Sequence, residues 1–254
     1  MPFNLVLPSS RGQGLMISRA LLKRTSLPLI ATARRDHDKI KSAILSNLDD
    51  VDPSRVHVLH ADVCDEPSLA AAASKIRELH PGSHAQYIFS SAGILHPERG
   101  PDHIDYELAK KTLEVNLLGT MMVMKHFHSF MPKSIEASKE GGFEGRIPVW
   151  VNFSARVGSI ADNKKGGWYS YRASKAGVNA VTKSFDMWLG QHKMGMAVSY
   201  HPGTVKTALS KEFWDAPGIM EADVAAEKCL DVVMGLKKEQ RARCWDWKGE
   251  VIEW

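Results

Sequence analysis

Residues 5–24, LVLPSSRGQGLMISRALLKR, comprise an apolar stretch, a polar turn with two glycines and an amphipathic helical stretch. This strand–turn–helix order is the context of a dinucleotide site, because glycines let the backbone approach a pyrophosphate at a helix N-terminus. A Gly-x-Gly alone also fits an ordinary tight turn. The context favours the dinucleotide site, and its candidate contacts are Ser10, Arg11, Gly12, Gln13 and Gly14.

The same alternation of short apolar runs and segments of helical period continues along the chain, up to a last short strand around residues 243–247. Strands that alternate with helices imply a mainly parallel sheet with helices on both faces. The sequence therefore predicts an α/β fold of Rossmann type, doubly wound, with a seven-stranded sheet. We expect residues 1–254 to form a single domain.

Two segments interrupt this rhythm. Residues 133–145, KSIEASKEGGFEG, are polar and glycine-rich, which indicates a surface insertion. Residues 204–221 contain Phe213, Trp214 and Met220 without a clear strand or long-helix period. We interpret this second segment as a lid over a substrate.

The composition is that of an ordinary globular protein, with 44% hydrophobic and 24% charged residues. A net charge of +4 and scattered basic residues predict no nucleic-acid partner. The three cysteines, Cys64, Cys229 and Cys244, form no CxxC pair and have no histidine at metal-ligand spacing, so we expect neither a disulfide framework nor a metal site. We also expect no membrane span, no secretion signal and a reducing, cytoplasmic location.

Arg34 and Arg35 follow the second apolar run, where an NAD enzyme carries an acidic residue for the ribose 2′-hydroxyl. Asp36 comes two residues too late for that role. Guanidinium groups at this end suit a 2′-phosphate, so the pattern, with Arg11 in the preceding turn, favours NADP(H) over NAD(H). Arginines that only solvate a strand end are the alternative.

Tyr171 and Lys175 stand four residues apart in YSYRASKAGVNAVTKSF, and hence on one face of a predicted helix. An ammonium beside a phenol lowers the pKa of the phenol by favouring the phenolate. Such a pair can exchange a proton with a carbonyl or alcohol oxygen. A solvated i,i+4 pair is the alternative interpretation of an isolated match.

Together these motifs resemble the short-chain dehydrogenase/reductase superfamily. YRASKAG is similar to its Tyr-x-x-x-Lys helix, and Gly12 and Gly14 match the last two glycines of its Gly-x-x-x-Gly-x-Gly turn, whose first glycine is replaced by Pro8. Within the superfamily, GSIADNKKGGWYSYRASK and HPGTVKTALS look most like C-factor-like and sniffer-like carbonyl reductases. The resemblance covers nearly the whole chain and implies a homodimer or homotetramer.

The resemblance assigns roles to further residues. Asn116, in EVNLLGT, matches the helix asparagine that holds a water leading from the lysine towards solvent; an asparagine that bends or caps a helix is the alternative. For the other matches the alternative is an ordinary turn. These matches, to adenine, ribose and nicotinamide contacts in that order, are Asp62 and Val63; Ser91, Ala92 and Gly93; and Pro202, Gly203, Thr204, Val205 and Thr207.

VNFSARVGS resembles the Asn-x-Ser-Ser-x-x-Gly element, whose second serine polarises the substrate carbonyl. Ala155 occupies that second position, which leaves two candidates for the hydroxyl. Alignment of the motif favours Ser154, whereas the family's usual distance from the catalytic tyrosine favours Ser159, 12 residues before Tyr171. We choose Ser154.

The implied reaction is hydride transfer between NADP(H) and a carbonyl or alcohol, with Tyr171 as acid/base and carbonyl reduction as the favoured direction. The missing serine leaves a non-catalytic NADP-binding regulatory or interaction protein as the alternative. A methyltransferase fits less well, because that class has no use for Tyr171 with Lys175. Residues near the predicted rim suggest a small apolar or aromatic carbonyl substrate, although core packing explains several of them equally well, and we expect the histidine among them to be structural. These rim residues are Leu95, His96, Trp168, Tyr169, Phe213, Trp214 and Met220.

Overall fold

The computed structural model describes residues 1–132, 147–215 and 217–254. Its strands, in chain order, are β1 (Phe3–Leu7), β2 (Leu29–Ala33), β3 (Val56–His60), β4 (Ala85–Ser90), β5 (Val149–Phe153), β6 (Met196–His201), β7 (Cys244–Asp246) and β8 (Val251–Ile252). They form one sheet in the order β3-β2-β1-β4-β5-β6-β7-β8. Strands β1 to β7 pair in parallel, as predicted.

The sheet has eight strands, one more than the seven predicted. The last strand, β8, runs antiparallel to β7. The Asp246 carboxylate turns the chain back, because its Oδ1 accepts hydrogen bonds from the amides of Lys248 at 2.9 Å and Glu250 at 3.0 Å. A two-residue strand is too short to leave a periodic pattern in the sequence.

The main helices are α1 (Gly12–Arg24), α2 (His37–Leu45), α3 (Glu66–Leu79), α4 (Tyr106–Leu113), α5 (Gly119–Phe127), α6 (Tyr169–Gln191) and α7 (Ala222–Gly235). A π-helical turn, Glu114–Leu118, joins α4 to α5. The sequence pattern predicts one continuous helix there, and the π turn interrupts its hydrogen-bond ladder at Asn116. Single π turns of this kind occur frequently at functional sites.

Two hydrophobic clusters cover the two faces of the sheet. Neighbouring residues of one strand belong to opposite clusters, as Leu5 and Val6 of β1 show. One cluster includes residues of α1 and α7, and the other includes residues of α3 and α5. Strands buried on both faces explain why the sequence shows apolar runs rather than strict alternation.

The strand order reverses at β1, which lies between β2 and β4. In open α/β sheets a crevice for ligands lies outside the carboxyl ends of the strands at such a reversal. The turns after β1 and β4 meet there, since the Ser91 amide donates to the Leu7 carbonyl at 2.6 Å. This edge of the sheet therefore places the candidate site.

The insertion predicted for residues 133–145 lies outside the described residues. In the segment predicted as a lid, the described part contains a 3₁₀ stretch, Ala208–Phe213, and a β-bridge between Val205 and Met220. A lid role for it stays a prediction. Among the described residues, none of the helices is long and apolar enough to cross a membrane, and no cluster of metal-ligating side chains occurs.

Candidate active site

The turn between β1 and α1 is built around two glycines. A Cβ atom on Gly14 would lie 1.9 Å from the Pro8 carbonyl oxygen and 3.0 Å from the Ser91 Oγ. Gly12 has a φ of +55°, in the left-handed region that side chains disfavour. Neither position tolerates another residue without displacement or strain. Pro8, which replaces the family's first glycine, contributes the carbonyl of this tight contact and follows a cis peptide bond.

The N-terminus of α1 faces this turn. Arg11, its N-cap residue, is exposed and makes no side-chain hydrogen bond to the helix, and the first turn holds no acidic residue. A helix N-terminus next to a glycine cradle is a good site for a diphosphate. Ser10 and Arg11 lie beside it, and their contact with a cofactor stays a prediction. The Gln13 side chain instead donates from Nε2 to the Ala222 carbonyl at 3.2 Å, at the start of α7.

Arg34 and Asp62 come together at the ends of β2 and β3. Their side chains form an ion pair at 3.7 Å, and the arginine is 62% exposed. Asp36 is the N-cap of α2 in a left-handed conformation, at φ of 58°. The end of β2 thus carries a guanidinium, which pairs with the Asp62 carboxylate from the end of β3. Val63 packs against α5, since a Cβ on Gly119 would lie 2.9 Å from its Cβ.

The loop after β4 reaches α6 at Gly93. A Cβ on Gly93 would lie 3.6 Å from Lys175 Nζ and 3.7 Å from Asn116 Oδ1. Asn116 is fully buried and binds the main chain of Ile94, which follows Gly93. Its Oδ1 accepts from the Ile94 amide at 2.8 Å, and its Nδ2 donates to the Ile94 carbonyl at 2.9 Å. It also donates to Ser174 Oγ at 3.0 Å. Asn116 therefore connects this loop to α6.

Tyr171 and Lys175 share the buried face of α6. Lys175 Nζ lies 5.7 Å from the centre of the Tyr171 ring and donates to the Phe153 carbonyl at 2.7 Å. Their exposed fractions are 7% and 3%. The helix places a phenol and an ammonium together at the carboxyl end of β5, as the four-residue spacing predicts.

Burial shifts both pKa values. Desolvation raises the pKa of Tyr171 to about 12 and lowers the pKa of Lys175 to about 8. The expectation that Lys175 lowers the pKa of Tyr171 is therefore wrong, because the loss of hydration on burial raises it. Tyr171 is held as a neutral phenol, which is the form that donates a proton.

The Pro-Gly segment after β6 closes the opposite side of the crevice. Gly203 has a φ of +79°, and a Cβ there would lie 2.7 Å from the end of Met220 and 2.8 Å from Trp247. Thr207 Cγ2 lies 3.4 Å from the Cβ position of Gly12. The segment with Pro202, Thr204 and Val205 thus lies against the glycine turn, although residues 203 and 12 are far apart in sequence.

Comparison with known proteins now decides the family. Residues 4–218 match the model of the short chain dehydrogenase family. The chain belongs to this family.

Curated and solved relatives agree with that assignment. The 1-hydroxy-2-glutathionyl-2-methyl-3-butene dehydrogenase of Rhodococcus sp. (strain AD45) is 28% identical over 193 residues, which are 76% of this chain and 78% of the relative. The carbonyl reductase Sniffer of D. melanogaster is 26% identical, with a TM-score of 0.85 and full coverage of both chains. The NADPH-bound carbonyl reductase from chicken fatty liver has the same fold, at 24% identity and a TM-score of 0.84 over both whole chains.

The resemblance inferred from the motifs is confirmed by these comparisons, and so is the Rossmann-type fold. The chain is an oxidoreductase of this family, and Tyr171 and Lys175 lie together on one buried face of α6. The comparisons leave the individual site residues untested, and their roles stay predictions.

Two serines are candidates for the hydroxyl that polarises the substrate carbonyl. Ser154 Oγ donates to the Lys175 carbonyl at 3.3 Å, and its residue is buried at the end of β5. Ser159 is also buried, and its Oγ accepts from the Asp162 amide at 3.0 Å. Ala155, where the family carries its second serine, is 7% exposed and supplies no hydroxyl.

The predicted rim residues differ in their contacts: some lie beside Tyr171 or the Pro-Gly segment, whereas His96 contacts α4. Trp168 lies edge-on to the Tyr171 ring, with centroids 6.1 Å apart, and contacts Phe213 at 5.3 Å. Trp214 donates to the Thr207 carbonyl at 3.1 Å. The ring of His96 instead forms a hydrogen bond with Thr112 Oγ1 at 3.0 Å, as expected for a structural histidine.

Sequence reasoning missed two charged residues beside Tyr171. Glu98 hydrogen-bonds the first turn of α6, and Arg172 binds carbonyl groups of the turn before it. A single glutamate in a polar loop carries no signal of such a contact. The bond from Ser170 to Glu98 spans 72 residues of sequence, so it is visible only in the folded chain.

Proposed function

We propose that the protein is an NADP(H)-dependent carbonyl reductase. The observation that carries the proposal is the pair of buried groups on α6, a phenol beside an amine, near the glycine turns at the carboxyl edge of the sheet. The relative that is 26% identical over both whole chains is a carbonyl reductase by name. This supports a carbonyl compound as the substrate.

The residues fit the proposed cofactor. The glycine turn and the uncapped N-terminus of α1 suit the diphosphate, with Ser10, Arg11, Gly12, Gln13 and Gly14 around it. The exposed Arg34 guanidinium suits a 2′-phosphate, which supports NADP(H) over NAD(H). The remaining proposed contacts are Asp62, Val63, Ser91, Ala92, Gly93, Pro202, Gly203, Thr204, Val205 and Thr207.

Four side chains would carry the chemistry. NADP(H), held by the residues named above, would supply the hydride for reduction of a carbonyl carbon. Tyr171 donates the phenol proton to the carbonyl oxygen, and its pKa of about 12 keeps that proton in place at neutral pH. Lys175, with a pKa of about 8, is about nine-tenths protonated at pH 7 and returns a proton to the phenolate. Asn116 fixes the loop that faces Lys175 Nζ.

Ser154 is our candidate for stabilising negative charge on the carbonyl oxygen. Its hydrogen bond to the Lys175 carbonyl is long, at 3.3 Å, so reorientation of the hydroxyl costs little. Replacement of Ser154 by alanine should lower kcat/KM about 100-fold, a typical loss for an oxyanion donor, whereas Ser159→Ala should leave it within threefold. The reverse result would transfer the role to Ser159.

An apolar or aromatic carbonyl compound fits the rim. Trp168 and Phe213 present ring surface beside Tyr171, and aromatic side chains favour apolar partners. We propose that residues 204–221 close over this surface as a lid. A substrate panel of aromatic, aliphatic and charged carbonyl compounds tests this preference through kcat/KM.

The expected assembly follows from the resemblance, and the expected location follows from the cysteine pattern. We propose a homodimer or homotetramer, for which sedimentation equilibrium is the measurement. A cytoplasmic location stays a prediction from the cysteine pattern and is tested by fractionation.

The decisive experiment combines binding and turnover. NADPH and NADH are titrated against the purified protein, and NADPH oxidation is then measured with the carbonyl panel for the wild type and Tyr171→Phe. We expect tighter binding of NADPH and turnover that is lost in Tyr171→Phe. Tight NADPH binding without turnover would favour the non-catalytic regulatory protein, and absence of binding would contradict both functions.

A further inference from the structure

The turn before α6 adopts an unusual backbone. Gly166, Gly167 and Trp168 have φ values of +62°, +64° and +52°. Glycine adopts this left-handed region freely, but a bulky residue such as tryptophan does so rarely. Specific contacts must therefore hold Trp168 in this conformation.

Glu98 supplies the first set of contacts. Its main-chain carbonyl accepts from the Trp168 amide at 2.7 Å. Both carboxylate oxygens lie 3.3 Å from the Ser170 amide in the first turn of α6, and one also accepts from the Ser170 hydroxyl. Thus one residue from a distant loop binds the turn and caps the helix that follows it.

The carboxylate of Glu98 is held by hydrogen bonds rather than by a cation. It is only 4% exposed, and in the described ranges it forms no ion pair. A buried carboxylate is costly unless it is hydrogen-bonded, and a helix N-terminus is an environment that favours negative charge. The contact with α6 is therefore what makes its burial tolerable.

Arg172 holds the same turn from the other side. Its guanidinium donates to the carbonyls of Gly166 at 3.0 Å, Gly167 at 2.9 Å and Val157 at 3.1 Å. The last contact connects the turn to the loop after β5. Glu98 and Arg172 together clamp the three left-handed residues.

We propose that Glu98 is a positioning residue, which acts through Ser170 and Trp168 to set the Trp168 indole edge-on against the ring of Tyr171. The proposal rests on the proposed reductase function, in which Tyr171 is the proton donor. With the indole in place, it packs edge-on against the Tyr171 ring, with centroids 6.1 Å apart, and it also contacts the Phe213 ring, with centroids 5.3 Å apart. Loss of the clamp releases the indole and admits water to the phenol.

A simple capping role is distinguished by a matched control. Asp105 is the N-cap of α4, where its exposed carboxylate accepts from the Leu108 amide at 2.9 Å. Asp105→Ala removes a helix cap that does not touch Tyr171. If Glu98 only stabilises a helix, Glu98→Ala and Asp105→Ala should behave alike.

The test uses two readouts on Glu98→Ala, Glu98→Gln and Asp105→Ala. The first is kcat and KM for the carbonyl, together with the NADPH Kd. The second needs neither cofactor nor turnover: the absorbance of the Tyr171 phenolate at pH 10.5, isolated by Tyr171→Phe in each background. Wild-type protein should show almost none, because burial holds the pKa of Tyr171 at about 12.

We expect Glu98→Ala to lower kcat more than tenfold with the NADPH Kd within twofold, and to reveal the Tyr171 phenolate at pH 10.5. Glu98→Gln, which keeps one acceptor oxygen, should retain most of the activity. Asp105→Ala should change neither readout. Wild-type values of kcat and Tyr171 absorbance in Glu98→Ala would overturn the proposal.

A second variant keeps the proposal testable if Glu98→Ala does not fold. Trp168→Gly suits the left-handed backbone and removes only the indole. It should reproduce both effects, and unchanged Tyr171 absorbance would overturn the proposal. If the wild type turns over no carbonyl at all, the proposed function fails, while the absorbance readout still decides whether the clamp shields Tyr171.

Discussion

The ionisation of Tyr171 is the sharpest test of the site's electrostatics. Burial raises the pKa of its phenol from the ordinary value of 10.0 to about 12, a difference of about 3 kcal/mol between the two protonation states. Lys175 does not oppose this shift at high pH, because burial lowers its own pKa to about 8 and it is neutral above that pH. At pH 10.5 the phenol should therefore be only about 3% ionised, against about three-quarters for an ordinary tyrosine.

The assay is the increase in tyrosinate absorbance between pH 7 and pH 10.5, compared between wild type and Tyr171→Phe. We expect equal amplitudes, since the phenol removed does not ionise in this range. Tyr169→Phe, which removes an exposed phenol two residues earlier on the same helix, calibrates the amplitude of one tyrosine. Circular dichroism at pH 10.5 verifies that all three proteins are folded. If the amplitude in Tyr171→Phe is smaller by the contribution of one whole tyrosine, burial is not the dominant influence on the pKa of Tyr171.

Three further predictions concern packing and charge. Gly14→Ala should weaken NADPH binding, measured by calorimetry, more than tenfold, because its Cβ would lie 1.9 Å from the carbonyl oxygen of Pro8. Gly235→Ala, which has open space around its Cβ, should leave binding unchanged. Arg241→Met should lower the free energy of unfolding in urea by about 3–5 kcal/mol, because it removes the guanidinium that pairs at 2.7 Å with the Asp186 carboxylate, which is only 2% exposed. A loss below about 1 kcal/mol would contradict this. Gly158→Ala should reduce kcat while retaining the fold, because its Cβ would lie 2.8 Å from Lys175 and push the loop away from α6; an unchanged kcat would show that the loop adapts.

The sequence was sufficient for the parallel part of the fold. Central strands buried on both faces appear as apolar runs, and each run alternates with a helix, so β1 to β7 follow from periodicity. Strand β8 and the π turn at Glu114–Leu118 do not. The first depends on hydrogen bonds to Asp246, and the second depends on the packing of Asn116 between a loop and α6.

For the site, local spacing predicted which groups meet on one helix but not their surroundings. Tyr171 and Lys175 share a face because they are four residues apart. Glu98 comes from a different loop, and only the folded chain shows that it caps α6. The direction of the Tyr171 pKa shift was also missed, because it depends on hydration lost in the fold, which the identity of a neighbouring lysine does not reveal.

These two pKa shifts together determine how the proposed proton transfers depend on pH. Burial raises the proton affinity of the Tyr171 phenolate and lowers that of the Lys175 amine. Once the phenol has donated its proton, transfer from the Lys175 ammonium back to the phenolate is therefore downhill. Oxidation of an alcohol requires the opposite, a phenolate in a buried position. We therefore expect carbonyl reduction to proceed at neutral pH and alcohol oxidation by the same site to rise towards alkaline pH, where Tyr171 loses its proton; profiles of kcat against pH in both directions test this.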